Sequence, residues 1–225
     1  MATGIVLLAG SSTRYNSNKP KQFELVNNRP IFDYSISAFI KSPLIEKIVL
    51  VTRKDYLDYV RKFYKDENKI IGVIEGGVTR QTSVLLALEF LDGKIDGNEK
   101  ILIQDAARPF LSSTMIENSV KTLDEYDSCT IASRNKDTLC QSSGEFIDNY
   151  VDRTMTFCIE TPQGFIYKKL FEAHKRMDVN LYTDDTQLLK SIGIQTKLII
   201  SDEVNFKITT LSDMELFKKI CEEEE

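Results

Sequence analysis

A chain of 225 residues with 42% hydrophobic residues and a formal net charge of −5 has the apolar mass for one large globular domain and lacks the basic excess of a general nucleic-acid binder. No run of about 18 apolar residues predicts a membrane span, and the N-terminus has no signal-peptide pattern, so a cytoplasmic protein is expected. The cysteines Cys129, Cys140, Cys158 and Cys221 are scattered without a C-x-x-C pair, which predicts reduced thiols rather than a zinc site.

In chain order, "GIVLLA" predicts a first strand and "PIFDYSISAFIKS" a helix; "KIVLVT" and "YLDYVRKFYK" repeat the pair, as do "KIIGVIEGG" and "RQTSVLLALEFLD", before a fourth strand at "KILIQDAARPF". Short buried-type runs alternating with amphipathic helices predict a three-layer, Rossmann-like α/β fold around a mostly parallel sheet. Ligands of such sheets bind beyond the carboxyl ends of the strands. The segments there are "AGSSTRYNSNKPKQ", "EGGVTRQTSV" and "QDAARPF", each with an arginine beside small residues.

The pattern changes at about residues 135–158, where "KDTLCQ" and "FIDNYVDRTMTF" flank "SSGE" and predict a protruding β-hairpin arm. Such an arm has little core of its own, and a homodimer is the expected way to cover it. Farther on, "TPQGFIYKKLFEAHKRM" and "TDDTQLLKSIG" predict helices, "QTKLIIS" and "NFKITT" short strands, and "LSDMELFKKICEEEE" a last helix with Ser212 and Glu215 at capping-box spacing. The single histidine, His174, is assigned to a polar helix face at the surface, which leaves a catalytic triad or a histidine-rich metal site with one residue to stand on. No linker divides the chain, so residues 1–225 are expected to form one domain.

The first loop carries the chemistry. Ala9, Gly10, Ser11 and Ser12 let backbone N–H groups approach a ligand, while Arg14 and Lys21 add full charge, as a triphosphate requires; the bland alternative is a basic surface loop. Neither G-x-G-x-x-G nor G-x-x-x-x-G-K-[ST] is present.

The ordered set "LAGSSTR…PKQF", "GGVTRQTSV", "DAARPF", "DT", "VDR", "TPQGF", "TDD" and "NFKITT" resembles the sugar-nucleotide cytidylyltransferase family. That resemblance implies a nucleotide-diphospho-sugar transferase type of fold and transfer of CMP from CTP to a polyol phosphate with release of pyrophosphate. It also implies Mg²⁺ and a homodimer with exchanged arms. Arg14, Lys21 and Lys207 match catalytic positions; Ala9, Gly10, Ser11, Gly76, Gly77 and Ser83 match the nucleotide cradle. Asp105, Arg108, Thr138, Arg153, Thr161 and Thr183 match positions that bind or support the acceptor, with Thr138 and Arg153 serving the partner's site if arms swap. Asp105 is open to a role on polyol hydroxyls or on Mg²⁺, and Thr183 to a role in helix capping. Two acceptors stay open, methylerythritol phosphate in isoprenoid precursor synthesis and ribitol 5-phosphate in cell-wall or capsule synthesis, with a non-catalytic nucleotide-binding protein as a third reading. Ser12, Val78 and Gln104 depart from the family pattern.

Overall fold

The computed structural model describes residues 1–10, 19–176 and 182–223. The strand β1 (Ala2–Leu7) leads, past the first loop, to a short 3₁₀ turn at Lys21–Phe23 and a small hairpin of β2 (Leu25–Val26) and β3 (Arg29–Pro30). Asn27 and Asn28 close that hairpin at φ 49° and 57°, the left-handed region a two-residue turn needs. Next come α1 (Ile31–Lys41), β4 (Ile45–Thr52), α2 (Leu57–Phe63), β5 (Ile70–Glu75), α3 (Arg80–Leu91), β6 (Lys100–Asp105), α4 (Ser113–Thr122) and β7 (Ser128–Arg134). After the arm strands β8 (Leu139–Gln141) and β9 (Asn149–Val151) follow β10 (Phe157–Ile166), α5 (Tyr167–Arg176), α6 (Asp185–Ser191), β11 (Lys197–Ile200) and α7 (Leu211–Glu223).

Seven strands form one sheet in the order β11-β7-β10-β6-β1-β4-β5, and every pairing is parallel except those of β10. The near-continuous apolar strands feed two cores. Val6, Ile48, Leu50 and Leu102 face α1, α2 and α4, while their neighbours Ile5, Val49, Val51, Ile101 and Ile103 face α3, α5 and α6. Side chains that alternate about the strand therefore bury both faces, which is the three-layer arrangement expected. A third cluster docks α7, through Met214, Phe217 and Cys221, onto Val26 and Ile31.

Several local expectations need correction. "TPQGFI" is not helical but the second half of β10, which runs antiparallel between β6 and β7. A register shift between Ile159 and Gln163 accommodates Pro162, whose missing N–H a central strand tolerates only at such a bulge. "NFKITT" forms no strand; Ile208 donates a single backbone bond to the Ala107 carbonyl, and the segment is otherwise held by side chains. The cap of α7 lies two residues earlier than Ser212 and Glu215: Thr210 Oγ1 accepts from Asp213 N–H, and Asp213 Oδ2 accepts from the N–H groups of Thr209 and Thr210 at 2.7 Å each.

The arm is a separate two-stranded sheet with Leu139 opposite Val151 and Gln141 opposite Asn149. It presents Phe146, Tyr150 and Met155 to solvent.

Asp213→Ala removes the acceptor of two α7 cap bonds, and a loss of about 1 kcal/mol is expected. Urea denaturation measures it, and an unchanged midpoint would refute the capping role.

Candidate active site

In a sheet that grows outward from β1 in both directions, the strand order reverses beside β1, and a crevice opens at the carboxyl ends. A cleft of about 300 Å³ lies there, walled by the ends of β1 and β6, the start of α3, the Lys21 turn and Lys207.

One wall is backbone. Gln22 Nε2 donates to the carbonyls of Leu8 and Gly10, at 2.5 and 3.0 Å, and so pins the chain as it leaves β1. A side chain at Gly76 would place Cβ 2.7 Å from that of Ala9, and one at Gly77 would collide with Thr82, so both glycines are required by close approach. Beyond them Thr79 caps α3 in a reciprocal box with Thr82, and Ser83 Oγ accepts from Gly77 N–H at 3.1 Å while donating to the Thr79 carbonyl at 2.9 Å. Such a wall recognises by shape and backbone polarity. Lys21, 8% exposed, lines the same cleft from a turn anchored by Phe23 stacked on Tyr56 with ring centroids 3.9 Å apart. Its ammonium also helps hold the Asp213 carboxyl below the ordinary range, after burial, which opposes this, and the α7 cap bonds.

The other wall is ionic. Asp105, at the end of β6, accepts from Lys207 Nζ at 2.7 Å, and its second oxygen lies 3.6 Å from Arg80 Nε. Its backbone N–H donates to Thr161 Oγ1 at 3.2 Å, which uses the β10 bulge to brace the strand end. Burial alone would push the Asp105 carboxyl up; Lys207 and Arg80 overrule it and hold the group well below the usual carboxylate range. Arg80 in turn donates to Asp185 at 2.5 Å and to Gln163 Oε1 at 3.0 Å. Burial lowers its affinity for the proton, but Asp185 and Asp105 together raise it further, so it stays charged.

Ala9, Gly10, Lys21, Gly77, Ser83, Asp105 and Lys207 thus share one cleft, with Gly76 and Thr161 packed directly behind it. Arg108 is turned aside: its guanidinium donates to the Asn205 carbonyl at 2.7 Å and lies 3.9 Å from Glu160, bracing the segment that carries Lys207. Thr183 is exposed ahead of α6, whose cap is Asp184, accepting from Gln187 N–H at 2.9 Å. Thr138 and Arg153 are exposed near the arm, with Arg153 donating to the Lys136 carbonyl at 3.3 Å, and neither lines this cleft. Arg14, Ser11 and Ser12 lie outside the described residues.

His174 is not a surface residue. It is 3% exposed, and its Nε2 meets Asp185 Oδ1 at 2.9 Å. Its spacing from Tyr167, Leu170 and Phe171 places it on the buried stripe of α5, a signal its polarity concealed. Arg80 and Gln22 were also missed as site residues. The clue to Arg80 was a cation in the first turn of a helix, where the dipole disfavours it unless it is paired.

Among the described residues no group of three or more histidine, cysteine, aspartate or glutamate side chains gathers as a metal cage. Asp105 is the one acidic residue on the cleft wall among the described residues, and it is engaged by two cations. This donor set suits a magnesium ion carried mainly by phosphate oxygens and water rather than by protein.

A backbone cradle facing a clamped carboxylate and lysines, at the strand-order reversal of a parallel sheet, defines an α/β enzyme of the nucleotidyltransferase class. A family model described as IspD, 2-C-methyl-D-erythritol 4-phosphate cytidylyltransferase, matches residues 2–223. A protein of that name from Thermotoga neapolitana is 37% identical over 223 residues, covering 99% of this chain and 98% of the relative. Another, from Clostridium acetobutylicum, is 34% identical over 95% of this chain and 94% of its own. The crystal structure of the Francisella tularensis 2-C-methyl-D-erythritol 4-phosphate cytidylyltransferase superposes with a TM-score of 0.81 at 26% identity, covering 96% of this chain and 98% of that one. The chain belongs to the 2-C-methyl-D-erythritol 4-phosphate cytidylyltransferase family, and it is a CTP-dependent cytidylyltransferase of isoprenoid precursor biosynthesis.

Asp105 and Asp185 are both held below their ordinary pKa when folded, so as pH falls the unfolded chain takes up protons first. Their stabilisation is complete above about pH 4, the unfolded carboxylate value, and is lost as pH falls toward the folded values. The thermal midpoint of the wild type should therefore drop steeply on acidification, and that of Asp185→Asn less steeply; parallel curves from differential scanning calorimetry would contradict this.

Proposed function

We propose that this chain transfers CMP from CTP to 2-C-methyl-D-erythritol 4-phosphate, working as a single nucleotidyltransferase domain. The observation that carries the reading is that the backbone cradle, the Lys207–Asp105 pair and Lys21 line one cleft. CTP lies along Ala9, Gly10, Gly76, Gly77 and Ser83, where a shallow pocket of backbone groups accepts a pyrimidine and excludes a larger base. The acceptor lies on the other wall, its hydroxyls on Asp105 and its phosphate toward Lys207.

A phosphate oxygen of the acceptor attacks the α-phosphorus in line; the new P–O bond forms as the bond to the bridging oxygen of pyrophosphate breaks. The nucleophile is already an anion near neutral pH, so no general base is needed, in keeping with a cleft that no histidine lines. What remains is to bring two polyanions together and to stabilise charge growing on the α-phosphoryl oxygens. Lys21 supplies a fixed ammonium for that, and the family pattern assigns Arg14 the same task. Mg²⁺, bound with the triphosphate, would neutralise charge on the phosphates and ease departure of pyrophosphate, with Asp105 as the available protein carboxylate.

The exposed apolar arm supports a homodimer in which Thr138 and Arg153 complete the partner's acceptor site. No helix among the described residues is long and apolar enough to cross a membrane, and a cytoplasmic setting suits a CTP-consuming step.

Pyrophosphate release in the presence of CTP, Mg²⁺ and a panel of polyol phosphates tests the reaction. The highest kcat/KM is expected with 2-C-methyl-D-erythritol 4-phosphate; a higher value with ribitol 5-phosphate would reassign the acceptor, and no release with any would leave only nucleotide binding. Lys21→Ala should keep the fold and lower kcat by about 10²–10³-fold, the usual loss of one preorganised donor. Mixing Lys21→Ala with Arg153→Ala should restore about a quarter of wild-type activity if each site draws on both subunits. A failure to complement, or a monomer by sedimentation, would refute the shared site.

A further inference from the structure

A continuous file of polar side chains runs from the interior to the cleft. His174 Nε2 meets Asp185 Oδ1 at 2.9 Å, Asp185 Oδ2 meets Arg80 Nη1 at 2.5 Å, Arg80 Nε lies 3.6 Å from Asp105 Oδ1, and Asp105 Oδ2 meets Lys207 Nζ at 2.7 Å. The side chains of the inner pair are fully buried. Facing a carboxylate, the imidazole donates through Nε2, so that nitrogen carries the proton.

Stability alone does not call for this arrangement. Well-packed apolar side chains commonly replace buried ionic groups without loss, so a fully buried carboxylate and imidazole are a costly way to fill the space between α5 and α6. Orientation does account for it. The planar guanidinium of Arg80 is held on three edges: Nη1 by Asp185, Nη2 by Gln163 and Nε toward Asp105. Gln163 is itself fixed by Asp184, at 3.2 Å, the neighbour of Asp185. Without Asp185, Arg80 would keep Asp105 as the one carboxylate paired with it within 4 Å among the described residues and draw that carboxylate away from Lys207.

We propose that His174 and Asp185 are positioning residues for the acceptor: they fix Arg80 so that it engages one oxygen of Asp105 while Lys207 engages the other. Asp105 then offers its remaining lone pairs in one orientation to the acceptor hydroxyls. The proposal rests on the reading that Asp105 faces the acceptor. Because α3 carries both Arg80 and the nucleotide cradle, the effect is confined to the acceptor wall only if the cradle stays intact, and that is measurable.

Steady-state kinetics with each substrate varied in turn provide the test. Asp185→Asn and His174→Ala are expected to raise the acceptor KM by about 10- to 100-fold, the scale of one lost hydrogen bond to a charged group, with the CTP KM within about threefold of wild type. His174→Gln should restore most of the loss, since its amide nitrogen occupies the place of Nε2. A folded His174→Ala with a lower melting temperature but an unchanged acceptor KM would reduce the pair to a structural role and overturn the proposal, as would an equal rise in both KM values. If the buried variants do not fold, Arg80→Lys decides, because it keeps the charge and loses the planar fork; an unchanged acceptor KM there also overturns it. Asp105→Asn separates the two layers. No rise in its acceptor KM would refute the acceptor reading itself, whereas a rise there alone would refute only the positioning roles.

Discussion

The ionised carboxylate of Asp105, held at the end of a buried strand by Lys207 and Arg80, is the constraint on which the rest of the site depends. A charge removed from water at the centre of a sheet is tolerable only if counter-charges and hydrogen bonds follow it inward. Each of those partners then needs support of its own. Lys207 is carried by a segment without regular structure, which Arg108 and Asn205 tie to the β10 bulge; Arg80 needs Asp185 and Gln163; Asp185 needs His174. Much of the polar interior is therefore a consequence of one acidic group at one strand end.

The opposite wall obeys a different rule. It carries no acid or base from the sheet and depends instead on what is absent, the side chains of Gly76 and Gly77, and on Gln22 and Ser83 holding backbone groups in place. A neutral backbone surface facing a charged one suits a reaction that joins a nucleotide to a polyanion. The two walls are built by different physics and share one cleft with Lys21.

Strand and helix alternation up to residue 110 was legible because short apolar runs alternate with helix-length stretches, whereas α4 and β7 beyond it were not read. The same reasoning failed at 161–166, where Pro162 and Gly164 look like the approach to a helix. Neither local propensity nor pattern reveals that this segment is sandwiched between β6 and β7. The loops that hold Lys21 and Asp105 were readable as segments beyond strand ends, while Lys207, Gly76 and Gly77 were reached through the family resemblance. Arg80, Gln22 and the His174–Asp185 pair were not, because their meaning lies in contacts between distant parts of the chain: Arg80 and Asp185 are 105 positions apart. His174 is the instructive error. Polarity argued for the surface, spacing for the core, and spacing prevailed because α6 brings a carboxylate to it.

The distance along the chain between Asp105 and Lys207 has a bearing on synthesis. A ribosome delivers the chain from its N-terminus, so β1, β4, β5 and β6 emerge well before the cation that neutralises Asp105. Until the segment bearing Lys207 and the α7 helix arrive, the strand-end carboxylate has Arg80 and Arg108 nearby but lacks its closest cation, so the ionic wall is incomplete. The opposite wall, to which Ala9, Gly10, Gly76, Gly77 and Ser83 contribute, is under no such delay. A nascent chain is thus able to form the glycine-lined wall of the cleft well before the ionic wall, whose last cation arrives just ahead of the final helix.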